Sequence, residues 1–222
     1  MARTATSTDY DFICNDANFV NCLIETTDSK GWQYYVVPQG TTVYHGTSVD
    51  VTGTMIGERG NYFGSLSTAD AYAQKCIKIK DSHLLDKCVH KFRFKKAVKL
   101  LRMDLCSNVQ KLLTAAFELG EKDVLVAIEQ AYKCTGDEFG AAEPKRTSQY
   151  EPDRVVARFI SRLGFDGFAT KRQRIIKKYA WDVVPKRLRP RLPPHRFFHP
   201  ELYLAEPRRV LRHVSWKKWP LS

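Results

Sequence analysis

The sequence predicts a mixed α/β (α+β) fold, because β-rich runs and amphipathic helical stripes both occur along the chain. Residues 32–37 are rich in aromatic and β-branched side chains, which favours a strand. Apolar residues at helical spacing recur between residues 109 and 132 and again between residues 155 and 163. At 222 residues and 43% hydrophobic content, the chain is long enough for one sizeable core, so we expect a single domain over residues 1–222.

A second strand is predicted to end at His45. The run Val43-Tyr44-His45 follows a turn centred on Gly40, and Gly46 directly after the histidine lets a ligand approach the backbone. The end of a strand is a rigid place to hold a polar group. Residues 49–60 contain three glycines and little periodicity, which predicts a loop able to close over a ligand.

A strand-to-helix corner is predicted next. Tyr62-Phe63 has strand character, and a helix is expected to begin near Ser67 or Thr68, either of which is a candidate N-cap. Tyr62, Tyr72 and a hydroxyl group should therefore cluster at this corner. Aromatic faces of this kind can stack on a flat, cationic ring.

Two amphipathic helices are predicted in the middle of the chain, on either side of Gly120. Residues 138–150 are polar and contain proline, so we expect an exposed loop there. The two apolar stripes are predicted core faces, formed by Val109, Leu112, Leu113, Ala116 and Phe117 in the first helix and by Val124, Leu125, Ile128, Ala131 and Tyr132 in the second.

A third helix is predicted between Pro152 and Gly164, because proline is favoured in the first turn of a helix and glycine just past its end. Residues 165–169 then predict a turn leading into a buried strand. Asp166 fits the role of a turn residue better than that of an acid catalyst.

A C-terminal strand is predicted over residues 201–205, an apolar-rich run that opens with Glu201 after Pro200. Glu206 is a rival carboxylate, although it lies before Pro207, where a turn is favoured over a strand. Both glutamates stay open as candidates for a catalytic role, with Glu201 preferred.

Composition narrows the protein class. No run approaches the 18 apolar residues of a membrane span, and the N-terminus lacks the apolar core of a signal peptide, so we expect a soluble, intracellular protein without a membrane partner. The six cysteines form no Cys-x-x-Cys pair, which favours free thiols over a zinc site. His195 and His199 have no second pair of ligands nearby in the sequence, so no metal is predicted.

Positive charge is concentrated at the C-terminal end. Residues 1–170 hold 21 basic and 21 acidic side chains, whereas residues 171–222 hold 15 basic and 3 acidic ones, so this segment carries the whole net charge of +12. Aromatic residues are interleaved with the basic ones, a pattern suited to nucleic acid, to an acidic protein or to a pyrophosphate. A solvated basic face explains the same pattern equally well.

The order of three motifs resembles a known enzyme family. His45-Gly46-Thr47, the segment opened by Tyr62, and Glu201 occur in the order of the H-Y-E constellation of ADP-ribosyltransferases, in the branch of diphtheria toxin and the poly-ADP-ribose polymerases. Motif support covers residues 41–73 and 155–206. The resemblance implies a split, strongly bent β-sheet with flanking helices and NAD, as co-substrate, in the cleft between the sheet halves.

The resemblance also implies site residues. His45 and Thr47 would belong to the NAD-binding motif, with the backbone of Gly46 on the carboxamide. Tyr62 and Tyr72 would stack on the nicotinamide, and Ser67 is preferred to Thr68 as the hydroxyl that bonds the carboxamide. Glu201 would be the catalytic carboxylate, since a fixed negative charge stabilises the positive charge that develops on the ribose when its bond to nicotinamide breaks.

The acceptor is predicted from charge. In the family, the connection before the glutamate faces the acceptor; here it is basic, and Pro185, Pro190, Pro193 and Pro194 stiffen it. An anionic acceptor, either nucleic acid or an acidic protein, is therefore expected. Residues 186–191 also suit a nuclear localisation patch, which leaves cytoplasm and nucleus both open.

Transfer of a single ADP-ribose unit is favoured, because no regulatory or DNA-sensing domain fits in this length, although the H-Y-E pattern permits poly transfer as well. Two other classes stay open. A fold-related enzyme that transfers a phosphate from RNA to NAD would use basic groups at its centre rather than a glutamate. A catalytically silent nucleic-acid-binding module would need only the basic C-terminal third.

Overall fold

The computed structural model describes residues 19, 21–47, 62–66, 68–69, 88–134, 142–144, 151–171 and 200–218. These residues form a mixed α and β fold, as the sequence predicts. The strands are β1 Ile24–Thr27, β2 Gln33–Val37, β3 Thr42–Thr47, β4 Tyr62–Phe63, β5 Cys88–Phe94, β6 Val98–Arg102, β7 Tyr132–Cys134, β8 Ala142–Pro144, β9 Gly167–Lys171, β10 Pro200–Leu204 and β11 Leu211–Lys218. The helices are α1 Cys106–Glu118, α2 Lys122–Ala131, α3 Glu151–Arg162 and α4 Pro207–Val210.

The larger sheet has six strands in the order β1-β2-β6-β9-β10-β4. Neighbouring strands are antiparallel except for β6 and β9, which are parallel. A parallel pair needs a long crossover connection, and here the chain between β6 and β9 contains α1, α2 and α3. The helices between residues 106 and 162 are thus part of this crossover.

The smaller sheet has three strands in the order β11-β5-β3, all antiparallel. An isolated bridge between Tyr44 of β3 and Gly64, just after β4, joins it to the larger sheet. Both hydrogen bonds of this bridge form, at 2.9 and 3.0 Å. Backbone hydrogen bonds therefore join the two sheets at this point, and this bridge stands outside the ladders of the named strands.

The core has two main parts, on opposite faces of the six-stranded sheet. Leu101 and Tyr203 belong to the part that packs against α1, α2 and α3. Leu100 and Leu202, their neighbours along β6 and β10, belong to the part that contains Val43 and other residues of the smaller sheet. This alternation follows from the two-residue period of a strand and explains why these strands are apolar on both faces.

Several predicted elements are confirmed. The strand after residue 32, the strand Tyr62–Phe63, the three helices, and the strands predicted within residues 165–169 and 201–205 all form close to the predicted positions. Gly40 and Gly164 have positive φ angles of 82° and 94°, the conformation that glycine adopts readily in a turn or past a helix end. Asp166 lies in the turn before β9, as predicted, where it accepts a hydrogen bond from the backbone N–H of Lys99 and forms an ion pair with Lys96 at 2.9 Å.

Three expectations for the middle of the chain are wrong. Residues 142–144, predicted as exposed loop, form β8, which pairs with β7. Tyr132, assigned to a helical stripe, is the first residue of β7, because the helix ends at Ala131. Phe117 is 76% exposed rather than in the core, since the buried face of α1 is set by Val109, Leu112 and Ala116.

No helix among the described residues is both long and apolar enough to cross a membrane. The predicted loop over residues 49–60, the histidines at 195 and 199, and the basic connection apart from Lys171 lie outside the described residues.

Candidate active site at the split between the sheets

His45 lies in β3, where the two sheets separate. Its Nδ1 atom is 2.7 Å from the carbonyl oxygen of Tyr62, and a carbonyl only accepts, so Nδ1 carries a proton and donates it. Burial lowers the pKa of the imidazole, outweighing the opposing effect of this hydrogen bond. The ring is therefore neutral at pH 7, and its Nε2 atom is left as an acceptor.

The backbone N–H and C=O of Gly46 point toward β4. The N–H and C=O groups of Tyr44 bond to Gly64 at the edge of β3, away from β5. Backbone groups alternate in direction along a regular strand, and β3 pairs with β5 without a bulge. The N–H and C=O of Gly46 consequently point toward the same edge, beside the His45 hydrogen bond. Thr47, the last residue of β3, lies opposite Cys88.

Tyr62 connects three elements. Its carbonyl accepts from His45, its ring packs edge-on against Tyr203 with centroids 4.9 Å apart, and its hydroxyl donates a short hydrogen bond to the carboxylate of Asp153 in α3. The residue is 9% exposed. These contacts fix the Tyr62 ring and link the first turn of α3 to β4.

Glu201 lies in β10, beside β4 and β9. It is the next residue beyond the Leu202–Phe63 pair, so it is level with Gly64. On its other side it pairs with Thr170, and paired residues project from the same face of a sheet. Glu201 and Thr170 are each 2% exposed, and this face is the one that carries Tyr203. The sheet therefore holds the predicted carboxylate in a fixed, largely water-free position.

Thr170 has a buried hydroxyl group for which the described residues offer no hydrogen-bond partner. Its Oγ1 atom is buried and has no hydrogen-bond partner among them. A buried hydroxyl without a partner is costly, and such groups often mark a place that a ligand or water completes. No sequence signal marks Thr170 alone, because its position beside Glu201 depends on strand register.

The turn after β4 differs in detail from the prediction. The helical turn begins at Leu66, and the Oγ of Ser65 accepts from the backbone N–H of Thr68 at 3.3 Å. Ser65 is thus the N-cap, and the prediction of Ser67 or Thr68 is wrong because the helix begins earlier. The Ser65 and Thr68 hydroxyl groups are 3.0 Å apart. Ser67 and Tyr72 lie outside the described residues.

Thr68 packs directly over Gly64. A Cβ atom added at Gly64 would lie 3.1 Å from the Thr68 Cβ, which is tighter than ordinary contact. Gly64 follows Tyr62 by two residues, so this position is on the face of the sheet that carries Tyr62 and Glu201. Glycine at residue 64 lets the Thr68 side chain lie beside the carboxylate-bearing face.

Glu206 occupies a different environment. It precedes Pro207 and α4, and its side chain is 63% exposed with an ion pair to Arg209 at 3.5 Å. An exposed pair of this kind contributes little. Glu201 is therefore the buried carboxylate of the two, and its catalytic role stays a prediction.

Sequence reasoning missed Asp153 and His90. Asp153 follows Pro152 at the start of a predicted helix, which is an ordinary place for an acidic residue, so nothing in the sequence pointed to Tyr62. His90 is fully buried and pairs in register with His45. Its Nδ1 atom lies 3.3 Å from the Nε2 atom of His213. The alternation of apolar and polar residues in β5 was the available signal for its position.

The described residues contain no group of three or more His, Cys, Asp or Glu side chains that would hold a metal ion. Comparison with protein-family models, with curated proteins and with solved structures finds no match to this chain.

Proposed function

We propose that this protein is an NAD-dependent mono-ADP-ribosyltransferase, which cleaves the bond between nicotinamide and ribose and transfers ADP-ribose to an acceptor. One observation carries the proposal. His45, neutral and with its proton on Nδ1, and the Gly46 backbone lie in β3 on one side of β4, and the buried carboxylate of Glu201 lies in β10 on the other side of β4. Gly64 lies between Glu201 and Tyr44 across the strands, so the backbones of Glu201 and Tyr44 are two strand spacings apart, or about 10 Å.

The backbone of Gly46 suits recognition of the nicotinamide carboxamide. Its N–H would donate to the carboxamide oxygen and its C=O would accept from the amide nitrogen, a pairing that a single edge residue of a strand offers. Glycine at this position leaves room for a ring to approach the backbone. An adjacent ribose hydroxyl would donate to Nε2 of His45, which the tautomer leaves as an acceptor.

Glu201 would supply the electrostatic part of catalysis. When the bond between ribose C1 and the nicotinamide nitrogen breaks, the bonding electrons leave with nicotinamide and positive charge develops on the ribose. A carboxylate fixed in a site with little water stabilises that charge more strongly than one in water. The acceptor nucleophile would then form a bond to C1, and its proton would pass to a base, the second role that we propose for Glu201.

The tyrosines would hold the nicotinamide ring. Asp153 fixes the phenol of Tyr62, and Tyr203 packs against its ring, so the orientation of Tyr62 is set before ligand arrives. We assign Tyr72 as the second stacking ring and Ser67 as the carboxamide-binding hydroxyl from their places in the motif. Ser65 and Thr68 are the hydroxyl groups that the described structure puts at this corner.

The charge of the chain favours an anionic acceptor, which is either nucleic acid or an acidic protein. The net charge of +12 arises entirely after residue 170. Cationic side chains raise the local concentration of anionic partners and speed their association. Transfer of one unit is proposed rather than chain growth.

Nicotinamide release from NAD tests the proposal. The purified protein is incubated with NAD alone and with RNA, DNA or protein acceptors, and both free nicotinamide and labelled acceptor are measured. Release that needs Glu201, with label on an acceptor, is expected. Phosphate transfer from 2′-phosphorylated RNA to NAD would replace the proposal with the phosphotransferase alternative, and nucleic-acid binding without release would support the silent module.

A further inference from the structure

Thr170 and Glu201 form a polar pair in an apolar part of the larger sheet. They are cross-strand partners in β9 and β10, and each is 2% exposed. The next pair on the same face, Phe168 and Tyr203, is aromatic, with stacked rings whose centroids are 5.0 Å apart. Cross-strand partners on one face have Cβ atoms about 4.5–5.5 Å apart, so one small group can contact both side chains. We call Thr170 and Glu201 the polar pair.

The hydroxyl group of Thr170 is the member of the polar pair that lacks a contact. It has one hydrogen to donate and lone pairs that accept. Its Oγ1 atom is buried and has no hydrogen-bond partner in the part of the chain that the structure describes, so it lies beside the Glu201 carboxylate without bonding to it. β9 ends at Lys171 and β10 begins at Pro200, which puts the polar pair one position from the end of both strands.

The chemistry of the polar pair selects the group that fits between the two side chains. In its proposed catalytic role Glu201 is ionised and only accepts hydrogen bonds, so that group must donate to it. The Thr170 hydroxyl must give its own hydrogen to an acceptor, so the same group needs a lone pair. A guanidinium or ammonium group has no lone pair to offer, and a phosphodiester or carboxylate has no proton and repels Glu201. The oxygen of an alcohol or of water meets both needs with one atom.

We propose that the polar pair binds the attacking nucleophile, and that this nucleophile is a hydroxyl group of the acceptor or of water. Its identity rests on the proposed function, in which the bond between ribose and nicotinamide breaks. As the electron pair of that bond leaves with nicotinamide, a lone pair of the hydroxyl oxygen forms the bond to C1, and the hydroxyl proton passes to Glu201. Thr170 donates to a second lone pair and so orients the oxygen. An anionic acceptor is then recruited by its charge but modified at a hydroxyl group.

Competition between small nucleophiles tests the chemical class. The wild-type protein is incubated with NAD and with methanol, agmatine or inorganic phosphate, and nicotinamide and every ADP-ribose product are measured. Methyl ADP-riboside and free ADP-ribose are expected, in a ratio that shows whether alcohol or water is preferred, with no product on agmatine or phosphate. Nicotinamide release with product on the guanidinium or phosphate group would overturn the hydroxyl nucleophile and leave the proposed function standing. No release in any arm would overturn the proposed function, and the hydroxyl nucleophile with it.

Thr170→Val removes the hydroxyl group with little change in shape, whereas Thr170→Ser retains it. Nicotinamide release at saturating NAD should fall about tenfold in Thr170→Val and stay near wild type in Thr170→Ser, with NAD affinity unchanged in both. Thr114→Val makes the same change at an exposed threonine of α1 and is the matched control. Equal release by Thr170→Val and wild type would overturn the proposal. A loss confined to NAD affinity would also overturn it, because the polar pair would then bind the donor.

Unfolding of the free protein gives a readout that needs no NAD. Because the Thr170 hydroxyl has no hydrogen-bond partner among the described residues, Thr170→Val should leave the urea unfolding midpoint unchanged or raise it. A lower midpoint would show that the hydroxyl group is bonded within the protein, and it would overturn the proposal. Since the reaction is absent from this measurement, such a result leaves the nicotinamide-release test of the proposed function unaffected.

Discussion

Glu201→Gln removes the charge of the proposed catalytic carboxylate with little change in size. Glu201 is 2% exposed and lies in the ladder beside Thr170 and level with Gly64, so water screens its charge weakly. At about 4 Å from the ribose and an effective dielectric constant of about 20, a unit charge contributes about 4 kcal/mol. Partial charge in the transition state reduces this, so we expect a rate loss of about 100- to 1,000-fold.

The matched control is Glu206→Gln. Its side chain is 63% exposed and paired with Arg209, so its charge is well screened. Nicotinamide release is measured for wild type and both variants at saturating NAD, and NAD affinity is measured by titration. We expect Glu201→Gln to bind NAD nearly as wild type, because its charge acts mainly as the bond breaks. Retention of activity in Glu201→Gln, together with its loss in Glu206→Gln, would refute the assignment.

Three further predictions concern the framework of the site. The pKa of His45 is lower in the folded protein than in the unfolded chain, so the unfolded chain binds a proton on His45 first as the pH drops, and the free energy of unfolding should fall below about pH 6.5. In urea unfolding, this fall should be smaller for His45→Gln than for wild type. An equal fall in both proteins would contradict the assignment. Tyr62→Phe and Asp153→Ala should each lower the free energy of unfolding by about 1.5–3 kcal/mol, because the hydrogen bond between the two residues involves a carboxylate. A double variant that loses the full sum of the two single losses would show that the two residues are not coupled. Gly167→Ala should cost about 1–3 kcal/mol, because a Cβ there would overlap the Tyr203 carbonyl oxygen; an unchanged unfolding midpoint would exclude this close approach.

Local signals predicted the strands that carry the motifs. The turn at Gly40, the β-rich character of residues 43–45 and the run that opens at Glu201 depend on neighbouring residues, so the sequence shows them directly. The helix α3 was equally clear, because Pro152 and Gly164 mark its ends. The strands β3, β4 and β10 hold five of the predicted site residues: His45, Gly46, Thr47, Tyr62 and Glu201.

Contacts between distant segments could not be predicted in the same way. The Asp153 carboxylate reaches Tyr62 across 91 positions of sequence, and Thr170 lies beside Glu201 only through the register of β9 and β10. β11 was missed because its charged side chains gave it the composition of a solvated segment. Its pairing with β5, in which buried and charged residues alternate, determines which of those charges share a face.

The central claim is that the nicotinamide carboxamide binds at the backbone of Gly46, where β3 and β4 separate. The most direct measurement is a titration of ¹⁵N-labelled protein with NAD and with nicotinic acid adenine dinucleotide, in which a carboxylate replaces the carboxamide, followed at the Gly46 amide. NAD should shift the Gly46 resonance, and the carboxylate analogue should bind more weakly, because it cannot donate to the Gly46 carbonyl. Saturable NAD binding that leaves the Gly46 and His45 resonances unchanged, or no binding by the folded protein, would contradict the account.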